Sequence, residues 1–546
     1  MDEKHSVVII GGGITGISIA RDLALRGVSD ILLLEKDALA SGASGRNHGL
    51  LHSGARYVVK DPLSARECAQ ENKILRKIAP HLIEDTGGLF ISLPQDPPSY
   101  VDEFIRGCKN TGVEFEELSI SEALKLEPNL NPEILRVFHV NDASIDAFQL
   151  ALLTAYDASI NGASIRPFSK VIDIIKDGMD VIGVKVYDSL RRRTYTIRSE
   201  IVINATNAWA NKVTKLIGIQ LPIILDRGTL IVFSRRILNT VVNRLRPPSD
   251  GDILVPHHTT SIMGTTSISI DDPEKLLPSS EEIFNMVKAA IEITPEARSS
   301  RIIRAYAGPR ALLSMGANNS SRELPRSYRI FDHEIENGVS GFISIVGGKL
   351  TTARLMAEKL VDVVLKKLGI RAPCPTHKES LPGADRDINY EDLAKKMKIS
   401  NAAAMRIISR WGGMVREIIN YANGEGTIVC SCESVHVAEL RFAIEKLWAM
   451  NIDDLTKRCR AGMGPCQAMN CVYRLASILR QSNNFSADYI LDYFIHFLRR
   501  RWRGEYPVMF SHQERQCILK LAIYCCLGNF DKLLKKYEVL PSAKRI

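Results

Sequence analysis

A chain of 546 residues, 45% hydrophobic and 24% charged, has the composition of a soluble globular protein of roughly two to four domains. Its net charge of +9 suits anionic substrates, anionic lipid surfaces or simply a solvated basic face. No run of about 18 apolar residues occurs, which excludes a bilayer-spanning helix, and an odd count of 11 cysteines argues against a disulfide framework. The opening "MDEKHSVVII" carries no signal-peptide pattern, so a reducing, cytoplasmic setting with metal-type cysteine use is expected.

The first segment, "HSVVIIGGGITGISIARDLALRG", predicts a strand, a tight turn and a helix over 15–26 that stops at Gly27. Gly11 permits the turn, Gly13 lets backbone approach a pyrophosphate, and Gly16 allows the helix to pack closely on the strand. A second apolar strand, "ILLLEK", ends in Glu35, placed to accept from ribose hydroxyls. Strand, glycines, helix, second strand and terminal acid together read as a dinucleotide cradle. No second glycine fingerprint is embedded in strand and helix, so one dinucleotide is expected.

"SGASGRNHGLLHSGARYV", from 41 to 58, is dense in Gly, Ser, His and Arg, as a loop following ribityl and phosphate groups would be. "EIVINATNAWA" predicts a strand running into a turn at Ala205, Thr206 and Asn207, and "DGDILVPHHTTSIMGTTSISIDD" alternates like a β-rich substrate domain. "SGFISIVGGKLTTARLMAEKL" predicts a strand, Gly347–Gly348 and a helix from about Thr351, whose N-terminus suits a reduced anionic ring. The Pro- and Gly-bearing stretch at 368–387 closes this unit.

Five cysteines then crowd a 42-residue window: "VCSCESV" and "CRAGMGPCQAMNC". C-x-C at Cys430/Cys432 and C-x4-C at Cys466/Cys471 supply the four thiolates a [2Fe–2S] cluster needs; tetrahedral zinc is the alternative. Cys459 lies beyond the glycine turn, where a helix ends, and is not expected to ligate. A one-electron centre beside a dinucleotide favours FAD over NAD, since a flavin takes a hydride and releases single electrons. The other six cysteines (68, 108, 374, 517, 525, 526) are expected to pack. "RRRWRGEYP" at 499–507 suits a partner interface, an anionic lipid surface or a solvated helix end.

The segments "GGGITG", "GRNHGLLHSGARY", "GTTSISID", "YAGPRALL", "GGKLTTAR" and "CSCESV…RAGMGPCQAMNC", in this order, resemble the A subunit family of anaerobic, FAD-dependent glycerol-3-phosphate dehydrogenases. The resemblance implies an α/β (α+β) fold: a Rossmann-type FAD domain interleaved with an antiparallel β-sheet substrate domain. A small helical [2Fe–2S] domain like that of bacterioferritin-associated ferredoxin and a helical tail would follow. The expected divisions are 1–375, 376–425 as a helical connector, 426–475 and 476–546. Ala205–Thr206–Asn207 stands where such flavoproteins show Ala-Thr-Gly; Asn is the next best residue for a left-handed turn.

By the same resemblance FAD would be held by Gly11, Gly13, Gly16, Glu35, Lys36, Ser44, Gly45, Arg46, Gly49, Leu50, Val171, Ala205, Thr206, Gly308, Gly348, Lys349, Leu350 and Thr351. Arg310 and Arg326 would hold the substrate phosphate, with Arg56 and Lys349 near flavin and substrate oxygens. Candidate bases for a secondary alcohol are His52, His257 and Lys349, and each histidine has a hydrogen-bonded structural role as its alternative. The FAD link is expected to be non-covalent, with His48 and His52 leaving a covalent one open. Glycerol 3-phosphate is the implied substrate. The implied partners are a second flavoprotein subunit, a quinone acceptor and a membrane-docked iron–sulfur subunit, with no nucleic acid. The implied setting is cytoplasmic or peripheral at the inner face of the cell membrane. Two rival readings remain: a related flavin dehydrogenase of an amino or hydroxy acid, and an electron-transfer subunit without an alcohol site.

Overall fold

A computed structural model describes residues 3–314, 324, 326–483 and 485–528. Its first strand, Glu3–Ile10, buries Val7, Val8 and Ile9 completely. An apolar run without alternation marks a strand covered on both faces, as parallel strands are. It pairs in parallel with Ile31–Leu34 on one side and Arg193–Asn204 on the other. Ser164–Arg166 extends the first side and Phe342–Gly347 the second, both parallel, and antiparallel Tyr328–Asp332 closes that edge. The hairpin Ser169–Asp177/Asp180–Asp188 adds to the N-terminal part of Arg193–Asn204.

Helix Ile14–Leu25 packs against helices Ala147–Ile160 and Ala353–Leu368, and buries Ile17, Ile19, Ala20 and Leu23. Each such Ile or Leu contributes about 1.5–3 kcal/mol on leaving water. The helix stops one residue earlier than the sequence pattern suggests, at Leu25, with Gly27 at φ +80°.

The second sheet has nine strands, interleaved in sequence with the first. Its pairings are antiparallel except Val241–Arg244 with Gly88–Ser92, which is parallel. Those two strands lie far apart in sequence, so no hairpin fixes their relative direction. The longest pairing joins Ile223–Phe233 to Ile302–Leu313, and it carries the floor of the site.

Beyond the flavin unit, helices Tyr390–Met397 and Asn401–Trp411 lead to the hairpin Ile428–Cys430/Val435–His436 and helices Val437–Lys446, Ile452–Cys459 and Val472–Asn483. Trp411 is wholly buried, and its indole N–H donates to Glu439 Oε2 at 2.6 Å, where Arg410 also pairs at 2.9 Å. Helices Ala487–Glu505 and His512–Gly528 follow. One continuous core runs from Val7 through Trp411 and Phe442 to Phe497. Among the described residues no helix is long and apolar enough to cross a membrane.

Candidate active site and cluster site

The glycine turn is shaped by close approach. A Cβ on Gly16 would lie 2.0 Å from the Gly11 carbonyl oxygen, and one on Gly11, at φ +115°, 2.8 Å from that of Ala205. Gly13 caps helix Ile14–Leu25 and, having no side chain, contributes no cap hydrogen bond of its own at this helix N-terminus, a position that favours an anion. Ser44 Oγ accepts from the Ile14 N–H at 2.9 Å, so the loop after the second strand is tied to that same helix end. Glu35 accepts from the backbone N–H of Gly12 at 2.7 Å and of Asp37 at 2.8 Å. Asn207 stands at φ +49°, the left-handed conformation expected of a residue replacing glycine, and its side chain accepts from Gly347 N at 3.4 Å. These features fit FAD: a cradle with no room for side chains, set at the start of a helix whose first N–H is held by the loop that follows the second strand.

The other expected FAD contacts fall at several places. Gly45 packs against the Ala40 carbonyl and Phe148, and Gly308 against the Arg46 carbonyl. Lys36 turns to the surface, pairing with Glu274 at 2.9 Å above the Trp209 ring. Val171 packs half-buried on the core around Val8 and Leu34, two positions from Ser169, whose N–H donates to the Glu35 carbonyl at 2.7 Å.

A cavity of about 350 Å³ opens beside this cradle, lined by Ser44, His48, His52, Arg56, Arg310, Arg326 and Lys349 among others, with Gly347, Gly348 and Leu350 at its edge. Arg310 lies across Gly228, where a Cβ would sit 1.7 Å from its Nη2. It donates to Asp226 Oδ1 at 3.0 Å, Thr265 Oγ1 at 2.6 Å and the Thr266 carbonyl at 2.9 Å. Arg56 is held by Asp252 and donates to the Arg244 carbonyl at 3.4 Å. Nη1 of Arg326 is buried with no hydrogen-bond partner among the described residues. Lys349 Nζ donates to Ser64 Oγ at 2.7 Å and the Arg326 carbonyl at 2.8 Å, 4.6 Å from the Tyr57 ring centre. Burial lowers the proton affinity of this ammonium.

Two histidines stand in the same cavity, 6.5 Å apart between ring centres. Burial, then Arg310 and Arg56, push His48 down to about 4. Burial, with His48, Lys349 and Arg56 adding to it, holds His52 well below the ordinary histidine range. Both are neutral near pH 7, and Nδ1 of each has no hydrogen-bond partner. His52 Nε2 lies 3.4 Å from the Tyr57 hydroxyl, and its backbone N–H donates to Thr351 Oγ1 at 3.3 Å. From the sequence His48 is expected only as an alternative point of covalent attachment. Tyr57, Asp226, Asp252 and Thr265 are not assigned from the sequence: Tyr57, Asp252 and Thr265 lie in segments whose pattern carries a signal, and Asp226 does not.

His257, the other candidate histidine, lines the neighbouring cavity instead of this one. It forms a cluster with Asp146 and His258, into which Arg460 inserts. Arg460 Nη1 donates to His257 Nε2 at 2.9 Å and lies 3.6 Å from Asp146 Oδ2, while its Nε is 3.2 Å from Glu433 Oε2. A guanidinium thus fills the space that these three side chains would offer a metal ion, and His257 serves as a joint between the flavin unit and the cysteine-bearing unit.

In that unit Cys430 lies beside Cys471 and Cys432 beside Cys466, each pair within hydrogen-bonding reach. Backbone N–H groups point at the sulfurs: Gly462 at Cys430 (3.4 Å), and Ala468, Met469 and Asn470 at Cys466. Gln467 and Ala468 at φ +50° and +70° curl the backbone into that anion-binding concavity. Hydrogen bonding within each pair and the inward N–H groups favour sulfur in its anionic form at this site. A Cβ on Gly464 would lie 2.6 Å from that of Cys432, so glycine there permits the approach. Cys459 stands apart at the end of helix Ile452–Cys459, fully buried, its thiol donating to the Glu439 carbonyl at 3.3 Å. Burial pushes that thiol well up. Four thiols on two turns with inward N–H groups fit an anionic iron–sulfur cluster. Of the six remaining cysteines, Cys68, Cys108 and Cys517 are buried, Cys374 and Cys525 partly so, and Cys526 is exposed, against the expectation of packing; Cys374 donates to Asp22 at 3.2 Å.

Two family models match the chain: FAD dependent oxidoreductase over residues 6–361, and BFD-like [2Fe-2S] binding domain over 428–481. The A subunit of the Haemophilus influenzae anaerobic glycerol-3-phosphate dehydrogenase is 38% identical over 512 residues, covering 93% of this chain and 91% of its own. The chain belongs to that family of A subunits. Its Escherichia coli K12 relative is 37% identical over 536 residues, 97% of this chain and 98% of the relative. The solved glycerol-3-phosphate dehydrogenase from Bacillus halodurans, complexed with FAD, superposes with a TM-score of 0.72 at 23% identity, over 93% of this chain and 96% of that one. It shares the fold. The family models assign FAD and [2Fe–2S] as the cofactors, and the zinc alternative falls away with them.

Proposed function

We propose that this enzyme oxidises the secondary alcohol of sn-glycerol 3-phosphate to dihydroxyacetone phosphate and passes the electrons on as one component of a larger dehydrogenase. The observation that carries the reading is a shared cavity: Arg310 and Arg326 line it together with two buried, neutral histidines. Guanidinium forks suit a phosphate ester, and a neutral imidazole suits a hydroxyl proton. FAD held at the glycine cradle supplies the hydride acceptor, and a [2Fe–2S] cluster on Cys430, Cys432, Cys466 and Cys471 supplies the one-electron outlet.

In this reading Arg310, fixed by Asp226 and Thr265, takes the phosphate from one side, and the unpartnered Nη1 of Arg326 takes it from another. His52 accepts the hydroxyl proton at Nδ1, with its ring set by Tyr57 on the other nitrogen. Arg56 and Lys349 place positive charge near the oxygen that gives up the proton. The relatives are each named as one subunit of a dehydrogenase, which supports work alongside further subunits. A quinone acceptor, a second flavoprotein subunit, plus a membrane-docked iron–sulfur subunit, belong to the same proposal. An amino or hydroxy acid substrate is the rival reading, but a single carboxylate leaves the second arginine unemployed. Anaerobic titration decides. Glycerol 3-phosphate should bleach the flavin and then raise a reduced-cluster resonance, and inorganic phosphate should compete with it. A flavin that stays oxidised refutes the proposal.

A further inference from the structure

The strand Ile302–Leu313 carries a second arginine on the same face as Arg310. Side chains alternate along a strand, so Arg304, Tyr306, Gly308 and Arg310 share one side. Arg304 lies six residues from Arg310, about 20 Å along the strand. Between them the loop through Arg46 and Asn47 crosses the sheet at Gly308, where a Cβ would lie 2.3 Å from the Arg46 carbonyl. The Tyr306 hydroxyl donates to the Asn47 carbonyl at 2.8 Å and fastens the loop there. This loop divides the face into two compartments. Arg310 looks into the active-site cavity; Arg304 looks into another, of about 560 Å³, closed by the helices Ile452–Cys459 and Ala487–Glu505.

That second compartment is strongly basic. Cationic side chains outnumber carboxylates along its walls seven to two. Of the two carboxylates, Glu274 binds Lys36 and the Trp209 indole, and Asp453 binds Arg500. Arg501 donates to Gln467 at 2.8 Å. Arg304 is different: its Nε is buried with no hydrogen-bond partner among the described residues, and its guanidinium stands 5.6 Å from the Tyr306 ring centre. Burial and the nearby Arg501 push it down to about 10, and burial and Arg500 push Lys457 down to about 8. Glu505 is the carboxylate that offsets part of the Arg304 charge, but it is engaged with Lys520, and a buried guanidinium whose Nε has no partner among the described residues is costly unless an anion meets it. The residues 499–507 thus serve this compartment through Arg500 and Arg501, rather than only an outer surface.

From this geometry we infer a second anion site, centred on Arg304 and Lys457, that takes a phosphate group other than the substrate's. A soluble phosphate ester and an anionic lipid headgroup share that chemistry; the exposed Leu277 and Arg503 at the rim suit the second source. The inference does not depend on the identity of the alcohol substrate.

The test uses the holoenzyme and a double variant, Arg304→Met with Lys457→Met. Inorganic phosphate is titrated by calorimetry, and vesicles of phosphatidylglycerol or of neutral phosphatidylcholine are tested by co-sedimentation. The wild type should bind phosphate at two sites and the variant at one, or tenfold or more weaker at the second. Bleaching of the flavin by glycerol 3-phosphate should stay within about twofold. Loss of vesicle binding in the variant, for phosphatidylglycerol alone, identifies a headgroup; phosphate binding without vesicle binding identifies a soluble ester. Should the double variant lack flavin or cluster absorbance, Lys457→Gln alone provides the same comparison. Equal phosphate stoichiometry and equal vesicle binding in wild type and variant would overturn the site. A flavin unreduced by glycerol 3-phosphate would sink the substrate reading while leaving this one standing.

Discussion

Arg310→Ala should separate phosphate recognition from the rest of catalysis, provided its structural role is controlled. The side chain does two things. It faces the cavity, and it gives Asp226, which is wholly buried, a cation at 3.0 Å. Losing a charge-assisted contact to phosphate should cost about 2–4 kcal/mol, or roughly 30- to 1000-fold in kcat/KM. Removing the cation from a buried carboxylate costs about 3–5 kcal/mol of stability. Ser267 Oγ, donating to Asp226 Oδ2 at 2.7 Å, softens that loss. Two companions divide the effects. Arg310→Lys keeps a cation near Asp226 but loses the fork, so stability should recover while kcat/KM stays reduced, by about 1–2 kcal/mol. Arg310→Ala with Asp226→Asn removes the stranded charge and should restore the melting temperature but not the substrate constant. The assay is anaerobic flavin bleaching with glycerol 3-phosphate and with glycerol, beside thermal melts. Equal losses toward the two alcohols in a folded variant would refute Arg310 as the phosphate ligand.

Glu35→Ala should weaken FAD by about 1–3 kcal/mol, because it removes the acceptor of the Gly12 and Asp37 N–H groups as well as a ribose partner; unchanged FAD affinity by equilibrium dialysis would contradict that placement. Cys459→Ser should retain iron and the reduced-state resonance, whereas Cys466→Ser should lose or degrade both, since three N–H groups converge on Cys466 and Cys459 is engaged with a carbonyl. The reverse result would mean the ligand set is wrong. Acid should destabilise the fold through histidines buried neutral. His48 and His81 are both pushed to about 4. Because their folded values lie below the unfolded one, the unfolded chain binds protons first as pH falls below about 6.5. Stability is therefore complete above that pH and drops by about 1.4 kcal/mol per unit per histidine down to about 4. His81→Gln should flatten the slope of melting temperature between pH 6.5 and 4.5; an unchanged slope would exclude its share.

What could be read from the sequence was local. The glycine turn, Glu35 and the left-handed Asn207 depend on neighbours within a few residues, so strand, turn and helix chemistry reveals them. The C-x-C and C-x4-C spacings likewise show which thiols share a turn. Long-range pairing left no such trace. His257 looked like a base because it sits in "PHHTT" beside strand residues, yet its role is decided by Arg460, which lies 203 positions away. His48 and His52 become comparable only when a fold buries both and sets Arg56 and Arg310 beside them. The antiparallel expectation for the second sheet failed at one pairing for the same reason: Gly88–Ser92 and Val241–Arg244 meet without a hairpin between them.

The joint between the two redox units follows from the same long-range contacts. Domains linked by a flexible segment are expected to move against one another unless their interface is large and apolar. Here the connector is helical and inserts Trp411 wholly into the core, and that core is continuous from the glycine strand to the C-terminal helices. Polar contacts then fix the register. Thr259 donates to Glu433 Oε1 at 2.7 Å, Gln149 donates to the Arg458 carbonyl, and Arg301 donates to the Pro465 carbonyl at 3.0 Å and to Gln513 at 2.7 Å. Glu433 follows Cys432, and Pro465 precedes Cys466, so the flavin unit grips the cysteine turns themselves rather than their periphery. The separation between flavin cradle and cysteine site is therefore set by side-chain packing, and the charge of Arg460 between Asp146 and Glu433 is what closes the gap.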